Sequence, residues 1–148
     1  MVESIPDQLK DAALRLSDAC NRGKNRILRH KSVAHVTNPL DYAWDYHEQF
    51  IEKWSGYGAK TLLLGMNPGP YGMAQTGVPF GATTMARDIL QIEERDIATP
   101  PDAHPKRPVE GLSMERQEVS GTRFWSMLID HYTSTETIFS NIFVVNHC

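Results

Sequence analysis

Two asparagines carry the chemistry that this sequence can support. Asn67 and Asn146 each lie just past an apolar run that reads as a buried β-strand, AKTLLL at 59–64 and IFSNIFVV at 138–145. An asparagine amide has no useful proton affinity, but it can orient a water through its carbonyl oxygen and donate through its nitrogen. That suits a reaction whose transition state is already dissociative and needs a placed water more than a strong base. The same donor and acceptor pair also matches the edge of a planar imide such as uracil. The competing reading of each asparagine is a turn or capping residue. Their paired placement predicts that both amides face one slot shaped for a planar pyrimidine.

The stretch GMNPGPYGMAQTGVPFG at 65–81 holds five of the ten glycines and three of the nine prolines, which excludes regular helix or central strand. It lacks the Gly-Lys-Ser/Thr ending of a phosphate-cradling P-loop, and its prolines remove backbone donors. A rigid wall for a flat ligand remains, beside a plain Ω-like loop. Gly69 would allow close backbone approach, and Phe80 reads either as a stacking face or as core. No serine, cysteine or lysine stands in a nucleophile context, so water is the expected nucleophile.

The elements that must position these residues follow from periodicity. Ile5, Leu9, Ala13, Leu16 and Cys20 predict an amphipathic helix over 4–21, capped by Ser4 and ended by Gly23. Asn38 and Pro39 predict a helix start. Tyr42, Tyr46, Phe50 and Trp54 then mark a core-facing helix closed by Gly56 and Gly58. Further helices are expected over 83–92 and from Gly121, the latter capped by Ser120 or Thr122, with a semi-rigid proline-rich loop at 99–111. Strand, long loop, helices and strand imply parallel strands in an α/β fold, whose ligands sit beyond the carboxyl ends of the strands.

The chain has 148 residues, 41% of them hydrophobic and 22% charged, enough for one compact domain with a core. No apolar run is long enough to cross a bilayer as a helix, and no secretory N-terminus is seen, so no membrane partner is expected. Cys20 and Cys148 make no disulfide framework, and the six histidines are scattered; neither a metal nor a cofactor is expected, and a reducing intracellular compartment fits. A net charge of −3 does not advertise nucleic-acid binding. Residues 22–31 nevertheless hold five of the fifteen Lys and Arg and no acid. Arg26, Arg29 and Lys31, with Lys106 and Arg107, are candidate phosphate contacts; the bland reading is a solvated surface.

Taken together, these residues resemble the single-strand-selective monofunctional branch of the uracil-DNA glycosylases. The stretch 65–81 is nearly identical to that family's first motif, with Tyr71 where vertebrate members have Phe. The likeness continues through NPLDYAW at 38–44, TPPDAHPKRPVEGL at 99–112, EVSGTRFW at 118–125 and FVVNHC at 143–148. It covers residues 38–148, with 1–37 as a helical and basic N-terminal segment of the same single domain.

The resemblance implies a three-layer α/β/α fold around a mostly parallel sheet, incomplete in this chain. It implies that Asn67 positions the water attacking C1′ of the deoxyribose, that Phe80 stacks on a flipped base, and that Asn146 reads the uracil edge. Met66 would offer backbone contact to the base, and Gly69 and Met73 would leave room for C5 substituents such as hydroxymethyl. The partner implied is DNA containing uracil or oxidised uracil, acted on by a monomer, in the nucleus of a eukaryote or the cytoplasm of a bacterium. The family also has a second motif, near HPSP, whose histidine stabilises the leaving uracil and whose following residues wedge into DNA. Residues 1–148 contain no such segment, since His104-Pro105 belongs to the HPKRP loop. The chain is therefore expected to be the N-terminal portion of a longer protein. The alternative is an impaired fragment that binds uracil or DNA without cleaving.

Overall fold

A computed structural model describes residues 3–147; Cys148, the last residue of the FVVNHC resemblance, lies outside them. Helix α1 spans Ile5–Leu28, and Ser4 caps it by accepting from the Asp7 N–H at 3.3 Å. The expected stop at Gly23 is not there. A single interior glycine costs only about 1 kcal/mol of helix propensity, and tertiary ties hold the helix on either side of it. Asn38 Nδ2 donates to the Ser17 carbonyl at 3.1 Å, Asn21 Nδ2 donates to Asp41 at 3.2 Å, and Lys24 pairs with Asp102. Arg22 and Arg26 thus ride on the last turns of α1 rather than on a loop.

The short helix α2 (Pro39–Tyr42) starts where Asn38 Oδ1 accepts from the Leu40 N–H at 3.1 Å, as its sequence predicts. Helix α3 (Trp44–Trp54) ends in a 3-10 turn, Ser55–Tyr57, and Gly58 leaves it at φ +79°. Strand β1 (Thr61–Gly65) enters the glycine-rich loop, which contains one helical turn, α4 (Met73–Thr76), where none was expected. The helix expected over 83–92 is present over 83–89, with its last part, Met85–Ile89, as one wide turn closed by the Leu90 N–H on the Met85 carbonyl at 3.0 Å. Gln91, at φ +56°, turns the chain out of it.

Helix α5 (Val119–Tyr132) begins from Glu118, and neither Ser120 nor Thr122 caps it. The Thr122 hydroxyl lies inside the first turn and donates back to the Glu118 carbonyl at 3.0 Å. Helix α6 (Thr135–Asn141) takes the first half of the expected second strand because Ser134 caps it, accepting from the Thr137 N–H at 3.2 Å. Strand β2 is therefore Ile142–Asn146.

The two strands pair in parallel, from Thr61 opposite Ile142 to Gly65 opposite Asn146. The α/β class with a parallel pair follows the sequence reading; the sheet found among the described residues has these two strands. Burial of β1 does not follow it. Alternation puts Leu62 and Leu64 on one face and Leu63 on the other, and Leu62 and Leu64 are 64% and 66% exposed. Phe143, on the face of Leu62 and Leu64, and Val144, on the face of Leu63, are both buried and join Phe50, Trp54, Trp125 and Phe139 in one core, with Phe50 stacked on Phe143 at 5.3 Å and Trp54 on Phe139 at 5.0 Å. The four-residue aromatic stripe is core, as predicted: Tyr42, Tyr46, Phe50 and Trp54 are all buried. The Tyr42 hydroxyl donates to the Ala74 carbonyl at 2.6 Å, which ties the stripe to the loop.

His47 is a second tie. Its Nδ1 stands 2.7 Å from the Gly77 carbonyl, the proton donated by the ring, and burial pushes its pKa down to about 4. The unfolded chain therefore binds a proton below pH 6.5 that the native state refuses until about pH 4. Stability conferred by the neutral ring is full above pH 6.5 and falls through that window by up to about 3 kcal/mol. Burial raises the carboxyl pKa of Glu118, and that group works in the opposite sense, favouring the native state at low pH. In urea unfolding, the protein should lose stability between about pH 7 and about pH 4.5, and His47→Gln should flatten the loss. An identical pH slope in the variant would contradict this assignment.

Candidate active site

The parallel register brings Gly65 and Asn146 side by side at the carboxyl end of the sheet, on the face of Leu63 and Val144. Gly65 is buried, and a Cβ there would lie 2.9 Å from Asn146 Cγ and 3.1 Å from Phe80 Cε2. The side-chain amide and the phenyl edge therefore meet over a backbone that only glycine leaves open. Phe80 is held there at φ +53°. Its ring stacks on Phe124 at 4.3 Å with 17° between planes, and its carbonyl accepts from Trp125 Nε1 at 3.1 Å. Of the two readings left open by the sequence, neither alone describes Phe80: it packs on one face and remains half-buried.

Asn146 is oriented by its neighbours. Its Nδ2 points at the main-chain carbonyl of Asn67 at 3.5 Å and at Met73 Sδ at 3.2 Å. A carbonyl accepts only from a donor, so this contact assigns the nitrogen to that side. Oδ1 then faces Gly65, shielded from solvent and with no hydrogen-bond partner among the described residues. An unmade hydrogen bond of this kind costs about 1–3 kcal/mol, so this oxygen is an acceptor held in reserve among the described residues. Met73 is buried, while Met66 exposes 87% of its surface, so only the Met66 backbone could take the part that the resemblance implies.

The structure corrects the expected slot. Asn67 and Asn146 are adjacent, but through the Asn67 main chain. The Asn67 side chain is exposed, and its Nδ2 donates to the Pro68 carbonyl at 3.2 Å. The cavity of about 340 Å³ that Asn146 lines runs between α1, α3 and the sheet, and takes in Met73 but neither Asn67 nor Phe80. Asn67, Phe80 and Asn146 thus border an open shelf around the strand ends rather than an enclosed slot.

Room beside Gly69 is also less than expected. A Cβ on Gly69 or Gly72 would collide with the Glu118 carboxylate, and one on Gly121 would lie 2.9 Å from Glu118 Oε2. Instead of capping α5, the side chain of Glu118 is laid over the glycine-rich loop, where it has no hydrogen-bond partner among the described residues and its pKa is raised by burial. The sequence offers no role for Glu118, although it opens the EVSGTRFW stretch; an acid at a helix start is ordinarily assigned to the cap.

The basic candidates are spread out. Arg26, Arg29, Lys31, Lys106 and Arg107 are all exposed. Arg26 lines a cavity of about 600 Å³ with Pro68 and Thr99, and Arg107 lines one of about 580 Å³ with Pro68, Pro70, His35 and His104. Both cavities share Thr37, Tyr42 and Pro68, so these two arginines flank the loop that bears Asn67. Arg29, Lys31 and Lys106 border neither cavity. Among the described residues no group of three His, Cys, Asp or Glu side chains could hold a metal ion, and no helix is long and apolar enough to cross a membrane.

No family model matches the chain. Curated relatives do. The single-strand selective monofunctional uracil DNA glycosylase of Bos taurus is 46% identical over 116 residues, 78% of this chain and 42% of the relative. The proteins so named from Mus musculus and Rattus norvegicus are each 45% identical over 116 residues, 78% of this chain and 41% of theirs. Over the matched stretch the chain is similar to uracil-DNA glycosylases. The likeness is to the single-strand-selective monofunctional branch of that class. The chain spans about two-fifths of the length of the relatives it matches.

Gly65→Ala isolates the site from the fold. The new Cβ can be accommodated by displacing the flexible end of Asn146, so the circular dichroism spectrum and the urea midpoint should change little. The side-chain amide resonances of Asn146 should move from their wild-type positions, because the new Cβ displaces that amide. Unchanged Asn146 resonances in a folded Gly65→Ala protein would contradict this placement of Asn146 over Gly65.

Proposed function

We propose that this protein is a DNA repair glycosylase that hydrolyses the N-glycosidic bond of uracil in DNA. The observation that carries the proposal is the orphaned Oδ1 of Asn146, set beside the Phe80 ring edge with its Nδ2 fixed by Asn67. Uracil presents an N3–H flanked by carbonyls, a donor for Oδ1 and an acceptor for Nδ2. Cytosine presents a bare ring nitrogen and an amino group, so both asparagine atoms would meet their own kind. A site built from hydrogen bonds can discriminate by about 10⁴ or more on that ground, since the mismatched groups stay unpaired.

The reaction follows from the chemistry of the bond. The base is drawn out of the stack and held against Phe80. The C1′–N1 bond breaks ahead of attack, its electron pair leaving with the uracil as an anion and the sugar becoming oxocarbenium-like. A water then adds to C1′, and the proton it loses passes through solvent to the departed uracil anion, leaving a C1′ hydroxyl and neutral uracil. Asn67, exposed at the strand end, orients that water through its amide oxygen, a part that needs position rather than basicity. C5-oxidised uracils such as 5-hydroxymethyluracil fall within the same proposal. Beside Gly69, the Glu118 carboxylate both narrows the room and offers an acceptor to a C5 hydroxyl. The three-layer α/β/α architecture, a monomeric state, and residence in a nucleus or bacterial cytoplasm belong to this reading too.

A second reading is favoured by one observation: Asn146 and Phe80 meet over Gly65, while the exposed Asn67 amide is turned to the Pro68 carbonyl at 3.2 Å. In that reading the chain recognises uracil in DNA without releasing it. One pair of assays separates the two. Release of free uracil from a uracil-containing oligonucleotide, reduced by about 10²-fold or more in Asn67→Ala, is the expected result. Equal release by Asn67→Ala would contradict the role assigned to that residue. Binding without release, lost in Phe80→Ala, would favour the second reading.

A further inference from the structure

Tyr71 stands four residues beyond Asn67, on the same loop, and two arginines from separate loops converge on its ring. Arg116 places its guanidinium carbon 4.0 Å from the ring centroid and donates from Nη1 to the Tyr71 hydroxyl at 3.0 Å. Arg107 places its own carbon 5.5 Å from the same centroid. The two cations therefore lie within about 10 Å of each other, a separation of one Debye length at about 0.1 M salt. Neither forms an ion pair among the described residues. Glu110 and Glu115 border the same hollow as Arg116 without pairing with it.

Arg107 Nη1 also donates to the Lys106 carbonyl at 3.3 Å, as Arg116 Nη1 does to the Tyr71 hydroxyl. Each guanidinium therefore engages one Nη and keeps its remaining N–H groups, whose spacing suits phosphate oxygens. Two such groups held around one ring form a surface for a polyanion. The surface continues into the cavity that Arg107 shares with Pro68, Pro70, His35 and His104, so it runs along the loop that bears Asn67. The hydroxyl that distinguishes Tyr71 from the phenylalanine of the resembled motif is the atom that holds Arg116.

We propose that Arg107, Tyr71 and Arg116 form a clamp for the phosphodiester backbone of a single DNA strand, next to the glycine-rich loop. This rests on the nucleic-acid reading above, but not on uracil being excised. The clamp gives Arg116 and Tyr71 a part that their residue types alone did not suggest, and gives Arg107 a defined partner.

The test is salt-dependent binding of the protein to a single-stranded oligonucleotide that contains no uracil, followed by fluorescence anisotropy. Each arginine that neutralises a phosphate contributes about 0.7 to the slope of log affinity against log salt for single strands. Arg107→Gln and Arg116→Gln should each lower the slope by about that amount, and the double variant by about twice it. Tyr71→Ala should weaken binding several-fold, because both cations lose their platform. Arg15→Gln, on an exposed turn of α1 where Arg15 pairs with Asp11 at 3.1 Å, should leave the slope unchanged. An unchanged slope in the double variant would overturn the proposal, as would an equal loss in Arg15→Gln. Chemical-shift changes at the two arginines with inorganic phosphate but none with the oligonucleotide would also overturn it, by making the site one for a free anion. Because the strand lacks uracil, failure of uracil release in a separate assay bears on the glycosylase reading and leaves this result standing.

Discussion

The absence of a side chain at Gly65 is the constraint around which the site is arranged. Parallel pairing fixes Gly65 opposite Asn146, and any larger residue would drive apart the amide and the Phe80 edge that meet over it. The same device recurs a few residues on, where Gly69, Gly72 and Gly121 together admit the Glu118 carboxylate. Glycine in a strand weakens it and loses packing. Here that loss is matched by close approach between elements distant in sequence: the loop after β1, the start of α5 and the end of β2.

What holds this arrangement is polar as well as apolar. The core stacks Phe50, Trp54, Phe139 and Phe143 beneath the sheet, while the loop above is pinned by side chains reaching its carbonyls. Tyr42 donates to Ala74, His47 to Gly77 and Trp125 to Phe80. From within the loop, Gln75 Nε2 donates to the carbonyls of both Pro70 and Pro108 at 3.0 Å, joining it to the proline-rich segment that follows. A loop with three prolines has few backbone donors of its own, so side chains satisfy its carbonyls. In consequence the site is positioned by buried groups that make no contact with a substrate.

The fold and the site are legible in the sequence where a local signal and the tertiary outcome agree. The aromatic stripe from Tyr42 to Trp54 is core because its spacing matches the helix period, and Ser4 and Asn38 cap the helices they precede. Short apolar runs locate the strand ends that carry Asn67 and Asn146. Local signals fail where a distant contact outweighs them. Gly23 does not stop α1, because Ser17, Asn21 and Lys24 are tied to other segments. Residues 138–141 follow the Ser134 cap into a helix rather than joining β2. Glu118, Gly65 and Arg116 carry no sign of a site in the sequence, since their importance lies in what approaches them across the fold.

Asn146, held by Asn67 and admitted by Gly65, is the residue proposed above to read the edge of uracil. Its side-chain amide can be watched directly by nitrogen-15 NMR during titration with the free bases. The Asn146 Nδ2 resonance should shift saturably with uracil and stay in place with cytosine. Equal shifts with both bases, or none with uracil, would contradict that role.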